Sequence, residues 1–89
     1  MKVIHPGRQY QLEDGNNTKL TFTHYDERLR VRIEGVTSCD MLAVLIHRRA
    51  HLNQGDGYCV ENIEALHGLY QAINALKAWH DRVAREAAK

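Results

Sequence analysis

The sequence has little of what usually stabilises or targets a small protein. It holds two cysteines in 89 residues, Cys39 and Cys59, and two cysteines do not make a disulfide framework. The opening Met1-Lys2-Val3-Ile4-His5-Pro6 has no long apolar run, so no signal peptide is expected. No stretch approaches the ~20 apolar residues needed to span a bilayer. These features together predict a reducing, cytoplasmic setting, no membrane association and no disulfide. Charge of one sign is also missing. There are 12 basic and 11 acidic residues, with six Lys/Arg and five Asp/Glu in the first 36 positions and six of each in the remainder. Neither half is a polycation, which argues against non-specific binding to duplex nucleic acid. Small anions remain suitable ligands, because they need only a few well-placed arginines.

Catalytic signatures are absent as well. There is no phosphate-binding glycine loop, nucleophile elbow or spaced carboxylate pair, and the expectation is a protein that binds and is not an enzyme. His47 and His51 have the i, i+4 spacing that can clamp zinc on a helix. Arg48, however, stands where the zinc-protease motif has its water-activating Glu, and no third ligand is signposted. The two histidines read as solvated or hydrogen-bonding residues, and no metal or other cofactor is expected.

What is present is a change of period part-way along the chain. The first third reads as strands. Residues 8–12 alternate weakly and end at the turn-formers of residues 13–17, and Lys19–Thr23 alternates with Leu20 and Phe22 on one face. After a turn at Tyr25-Asp26-Glu27, Leu29, Val31 and Ile33 oppose Arg28, Arg30, Arg32 and Glu34. This predicts an α+β domain that begins with a three-stranded antiparallel meander over residues 1–35, its apolar face lying on the helical half. The three arginines would line one strand face at about 6.6–6.8 Å intervals, suited to phosphates or to plain solvation.

Residues 36–89 predict an antiparallel helical hairpin, completing a single domain. Gly35 breaks the third strand, Thr37 or Ser38 caps a first helix of about 15 residues, ~23 Å long, and residues 53–57 end it. A second helix starts near Val60 or Glu61 and runs to about Glu86, roughly 25 residues or ~39 Å. Its stripe is Ile63, Leu66, Leu69, Ile73, Leu76 and Val83. The second helix outruns the first, so Leu76, Trp79 and Val83 must meet the sheet or another copy of the chain. A chain this small buries only about 60–65% of its unfolded surface, and self-association is the expected source of the missing stability. Cys39 and Cys59 fall at opposite ends of the first helix, ~20 Å apart and too far for a disulfide. Glu61-Asn62 at the start of the long helix either complements its N-terminus or offers an anion and base-edge site.

The stretch from Gly35 through Arg85 resembles the helical-hairpin domain of phage immune-evasion sponges, the Thoeris anti-defence and anti-CBASS proteins. The matching residues are Val44-Leu45-Ile46-His47-Arg48, Leu52-Asn53, Tyr58-Cys59-Val60-Glu61-Asn62, Ala65-Leu66 and Ala75-Leu76. The Tyr10-Gln11-Leu12 and Leu20-Thr21-Phe22 strands are similar to the Thoeris branch. The resemblance implies a homo-oligomer, dimer or hexamer, that sequesters cyclic ADP-ribose isomers or cyclic di- and trinucleotides without cleaving them. It implies Asn62, Arg82 and Arg85 as phosphate or ribose ligands, and Arg48, the arginine that ends the first helix, as a further ligand-binding residue. Arg28 would contribute from the sheet, and Tyr58 or Trp79 would contact a base. Trp79 stands where the family places its first ligand arginine, and Leu52 stands where it places an aromatic. The alternative reading is a structural or regulatory module that grips a protein with its hairpin.

Overall fold

A computed structural model describes all 89 residues, Met1–Lys89. The elements in chain order are β1 (Lys2–His5), β2 (Gln9–Gln11), β3 (Lys19–Thr21), β4 (His24–Asp26), β5 (Val31–Ile33), α1 (Ser38–Asn53) and α2 (Val60–Ala87). They form two compact units, Met1–Ser38 and Cys39–Lys89. The fold is α+β, with a three-stranded antiparallel sheet followed by two helices of unequal length.

In the first unit β1, β2 and β3 pair in that order. Val3, Tyr10 and Leu20 stand opposite one another across the three strands, so period-two alternation sends an apolar row to one face and polar residues to the other. Tyr10 meets Phe22 edge-on, with centroids 5.9 Å apart. The turn between β2 and β3 is tied by Asp14, whose carboxylate accepts the backbone N–H of Thr18 at 2.8 Å and also its hydroxyl. Asn17 takes a left-handed conformation there (φ 51), which Asn tolerates better than most residues.

The strands are not quite those expected from alternation. β1 was not anticipated, because the register shifts between Val3 and His5, and a bulge of this kind destroys the period of two. The expected third strand also starts later. β4 occupies His24–Asp26, the turn falls at residues 27–30, and β5 pairs with β4 in a separate two-stranded ribbon. Asp26 sets this turn. Its Oδ1 accepts the backbone N–H groups of Arg28 and Leu29, both at 3.0 Å, and Arg30 closes the loop at φ 54. Arg28 and Arg30 therefore sit in a turn, with only Arg32 in a strand, and the expected arginine row does not exist. Leu29 is 67% and Val31 45% exposed, so of that strand's apolar residues only Ile33 is half-buried.

The base of the β4–β5 hairpin is clamped by a parallel bridge between Phe22 and Val36. Val36 donates its N–H to the Thr21 carbonyl (2.9 Å) and accepts from Thr23 N–H (3.0 Å). The Thr23 hydroxyl donates to the Gly35 carbonyl and accepts from the Gly35 N–H. A Cβ at Gly35 would lie 2.2 Å from the Thr21 oxygen, so the close approach requires glycine.

The second unit is the helical hairpin. α1 has 16 residues and α2 has 28, about 24 and 42 Å. Gly55 and Gly57 end α1 by donating their N–H groups to the Leu52 carbonyl at 3.1 and 3.0 Å. Cys59, in extended conformation, precedes α2, with Glu61 in the first turn. The inward stripe of α2 is Asn62, Leu66, Leu69, Ile73 and Leu76. Of these, Asn62 and Ile73 are buried and the others half-buried. Burial stops at Leu76, and Trp79 (51% exposed) and Val83 (44%) continue the apolar positions without cover. No helix is long and apolar enough to cross a membrane.

Candidate functional site

The most developed concavity lies within the first unit. It is an open cleft of about 650 Å³ on the polar side of the β1–β3 sheet. Strand alternation places Gln9 and Thr21 opposite each other on its floor, where the Gln9 amide donates to the Thr21 hydroxyl at 3.2 Å. His24 and Ile33 line it from the β4–β5 ribbon, and Arg8 and Arg28 from the turns.

Two features give the cleft chemical character. His24 Nδ1 lies 2.7 Å from the Phe22 carbonyl, which can only accept, so Nδ1 carries a proton and, in the neutral ring, Nε2 is the acceptor. Arg8 and Arg28 make no ion pair, since the two ion pairs of the chain are Met1–Glu13 and Arg32–Glu34. Asp26 also lines the cleft. Its carboxyl is held below the usual carboxylate range, first by the Leu29 N–H and then by the Arg28 N–H, with the Arg8 and Arg28 charges adding to the effect. Asp26 is thus ionised and held by its turn, and the cleft carries two guanidinium groups outside any ion pair, Arg8 and Arg28, beside the carboxylates of Asp26 and Glu27.

The other residues expected at a site are scattered. Arg48 is exposed on α1, and Tyr58, in the turn between the helices, is 70% exposed. Asn62 is buried at 6% exposure, and its amide donates to the Arg49 carbonyl of α1 at 3.0 Å. Trp79 leans on His80 with ring centroids 5.1 Å apart. Arg82 and Arg85 are exposed near the end of α2. Arg82 is 20 residues beyond Asn62 and Arg85 is 23, which on a continuous helix is about 30 and 35 Å. Asn62 cannot share one small ligand with Arg82 and Arg85 of the same chain. No family model, curated protein or solved structure matches this chain.

Arg28 is the one expected ligand residue that the fold brings to the cleft, and it arrives from a turn, not from a strand. Arg8 and His24 were not singled out as ligands. The parity of His24 with Leu20 and Phe22 assigns it to the apolar face, but β3 ends at Thr21 and β4 starts at His24, and the break brings the ring to the polar cleft. In the second unit His47 lines a shallow groove between the helices with Ile46, Tyr70 and Lys77, while His51 is exposed. No three His, Cys, Asp or Glu side chains converge. Cys39 and Cys59 are both free thiols.

Proposed function

We propose that this protein binds a small cyclic nucleotide messenger, of the cyclic ADP-ribose or cyclic oligonucleotide kind, and holds it without cleaving it. In this reading it is a phage anti-defence sponge acting in the host cytoplasm. The observation that carries the binding reading is the pair of unpaired guanidinium groups, Arg8 and Arg28, on a cleft of about 650 Å³, within the ~300–1,000 Å³ of small-ligand sites. Each guanidinium suits a bidentate grip on a phosphate. His24 Nε2 accepts from a ribose hydroxyl or a base amino group, and the Gln9–Thr21 floor supplies further polar contact.

A thermal-shift panel of cyclic ADP-ribose isomers and cyclic di- and trinucleotides tests this reading. A shift is expected with at least one of them, lost in Arg8→Ala and Arg28→Ala, with intact ligand recovered after heating. No shift with any member defeats the binding reading, and degraded ligand defeats the claim that the protein is not an enzyme.

A second reading, a protein-interaction module, is favoured by Val44 and Leu45 on α1, which are 65% and 41% exposed. It requires a stable complex with a host or phage protein and no response to nucleotides.

A further inference from the structure

The cleft is assembled from two pieces joined at one end. Its floor belongs to the β1–β3 sheet, and its outer wall belongs to the β4–β5 ribbon. The two strands of that ribbon pair with each other and with no third strand. The ribbon is held to the sheet at its feet, by the Phe22–Val36 bridge and the paired hydrogen bonds of Thr23 with Gly35. Beyond the feet little fastens it. Tyr25, Leu29 and Val31 are exposed, and of its aliphatic and aromatic side chains only Ile33 is half-buried. A lone two-stranded hairpin is marginally stable in water, and segments with few buried apolar contacts open locally at low free-energy cost.

The charged groups of the cleft divide between the two pieces. Arg28 belongs to the ribbon, where Asp26 Oδ1 accepts its N–H and that of Leu29, so it moves with the tip as one body. Arg8 belongs to the sheet, in the turn before β2, and its carbonyl accepts the Phe22 N–H at 2.8 Å. Gln9 and Thr21 also stay with the sheet, bonded to each other. The His24 ring is tied to the same side by the Phe22 carbonyl. The two pieces are close enough to sense each other. The Asp26 carboxyl, lowered first by the Leu29 N–H, is lowered further by the charges of both Arg8 and Arg28.

An anion held by Arg28 alone leaves the ribbon free to open. Held by Arg28 and Arg8 together, it ties the ribbon to the sheet. A ligand shifts an opening equilibrium by as much as it prefers the closed form, and a second charge-assisted contact makes that preference about tenfold or more.

We propose that the β4–β5 ribbon is a flap over the cleft, closed by a phosphate or pyrophosphate group that bridges Arg8 on the sheet and Arg28 on the ribbon. The proposal rests on the binding reading of the cleft and assigns separate tasks to its parts. The floor and His24 receive the ligand, and the ribbon then comes down on it. Val31 pairs with Asp26 and shares a ribbon face with Ile33, so closure also carries an exposed valine over the ligand.

Hydrogen–deuterium exchange on the full chain tests this, with and without about 10 mM inorganic pyrophosphate at constant ionic strength. Without the anion, residues 24–33 should exchange faster than the β1–β3 strands. With it, their exchange should slow at least about tenfold, while α1 and α2 keep their rates. Arg8→Ala should abolish that slowing although the substituted residue lies outside the ribbon, and Arg8→Lys should retain part of it. Phosphorus NMR on the same samples reports binding itself. Binding with unchanged exchange of the ribbon overturns the flap and leaves the binding reading standing. Protection that persists in Arg8→Ala overturns it too, because Arg28 then holds the anion alone. A ribbon as protected as the β1–β3 strands before any anion is added has the same consequence. So does a failure to bind pyrophosphate, after which the thermal-shift panel alone decides whether the cleft takes nucleotides.

Discussion

The Asn62 side chain, near the start of α2, donates its amide to the Arg49 carbonyl of α1 at 3.0 Å. This is the one side-chain hydrogen bond described between the helices, and it accompanies a flaw. Asn62 Oδ1 is buried with no donor, as is Asn53 Oδ1. A net hydrogen bond is worth about 0.5–1.5 kcal/mol, and an unsatisfied buried acceptor costs roughly 1–3 kcal/mol. Asn62→Leu, similar in size and without polar atoms, should therefore leave denaturant stability unchanged or raise it by about 1 kcal/mol. Asn62→Asp should lower it by more than about 2 kcal/mol, because a carboxylate cannot donate to Arg49 and would be buried unpaired. Urea midpoints of the two variants check this, and a destabilised Asn62→Leu protein would mean that Oδ1 has a partner after all.

Glycines 35 and 55 should respond oppositely to alanine. A Cβ at Gly35 meets backbone at 2.2 Å, whereas one at Gly55 meets nothing within 4 Å. Gly35→Ala should cost roughly 2–4 kcal/mol and Gly55→Ala should stay within about 0.5 kcal/mol of wild type. Thermal melts of the two proteins decide it, and equal melting temperatures would refute the close approach at the hairpin base.

Arg30 holds a left-handed conformation (φ 54), which costs an L-residue roughly 1–2 kcal/mol. Arg30→Gly should be neutral or stabilising by up to about 1 kcal/mol. Arg30→Val should be destabilising, since a β-branched residue resists positive φ. Chemical denaturation of both variants reads the difference, and a stable Arg30→Val protein would argue against this turn geometry.

Asp14 and Asp26 give a pH signature. The carboxyl of Asp14 is lowered first by the Thr18 hydroxyl and then by the Thr18 N–H, and that of Asp26 first by the Leu29 N–H. Both folded values lie below the ordinary 3.8. The contribution of each turn is therefore complete above that value and is lost as pH falls through the lower, folded value. In carboxyl NMR titrations Thr18→Val should move the Asp14 midpoint up towards 3.8 and leave Asp26 where it was. An unmoved Asp14 midpoint would show that the hydroxyl is not its main stabiliser.

The helices were legible in the sequence because their signals are local and redundant. An aliphatic stripe, an acidic first turn and terminal glycines all mark the same boundaries, and α1 and α2 begin and end within a residue or two of expectation. The sheet was less legible. β1 was hidden by a bulge. The Leu29-Val31-Ile33 alternation ran on through a turn that depends on the Asp26 side chain, which period-two patterning does not register. The same substitution of turn for strand explains why Arg28 was chosen as a ligand while Arg8, brought near by a turn 20 residues earlier, was not. Asn62 is expected from the sequence as a phosphate or ribose ligand, whereas in the structure it is buried and its amide donates to the Arg49 carbonyl within the hairpin.

The bridge from Phe22 to Val36 makes residues 23–35 a closed excursion from the sheet. Its two feet are hydrogen-bonded to each other, so the tip carrying Arg28 can change length without disturbing the strands beneath. Doubling such a loop costs only about 0.6 kcal/mol of closure entropy. On the proposed binding reading, insertions at the tip would change which molecules fit while the supporting platform stays as it is.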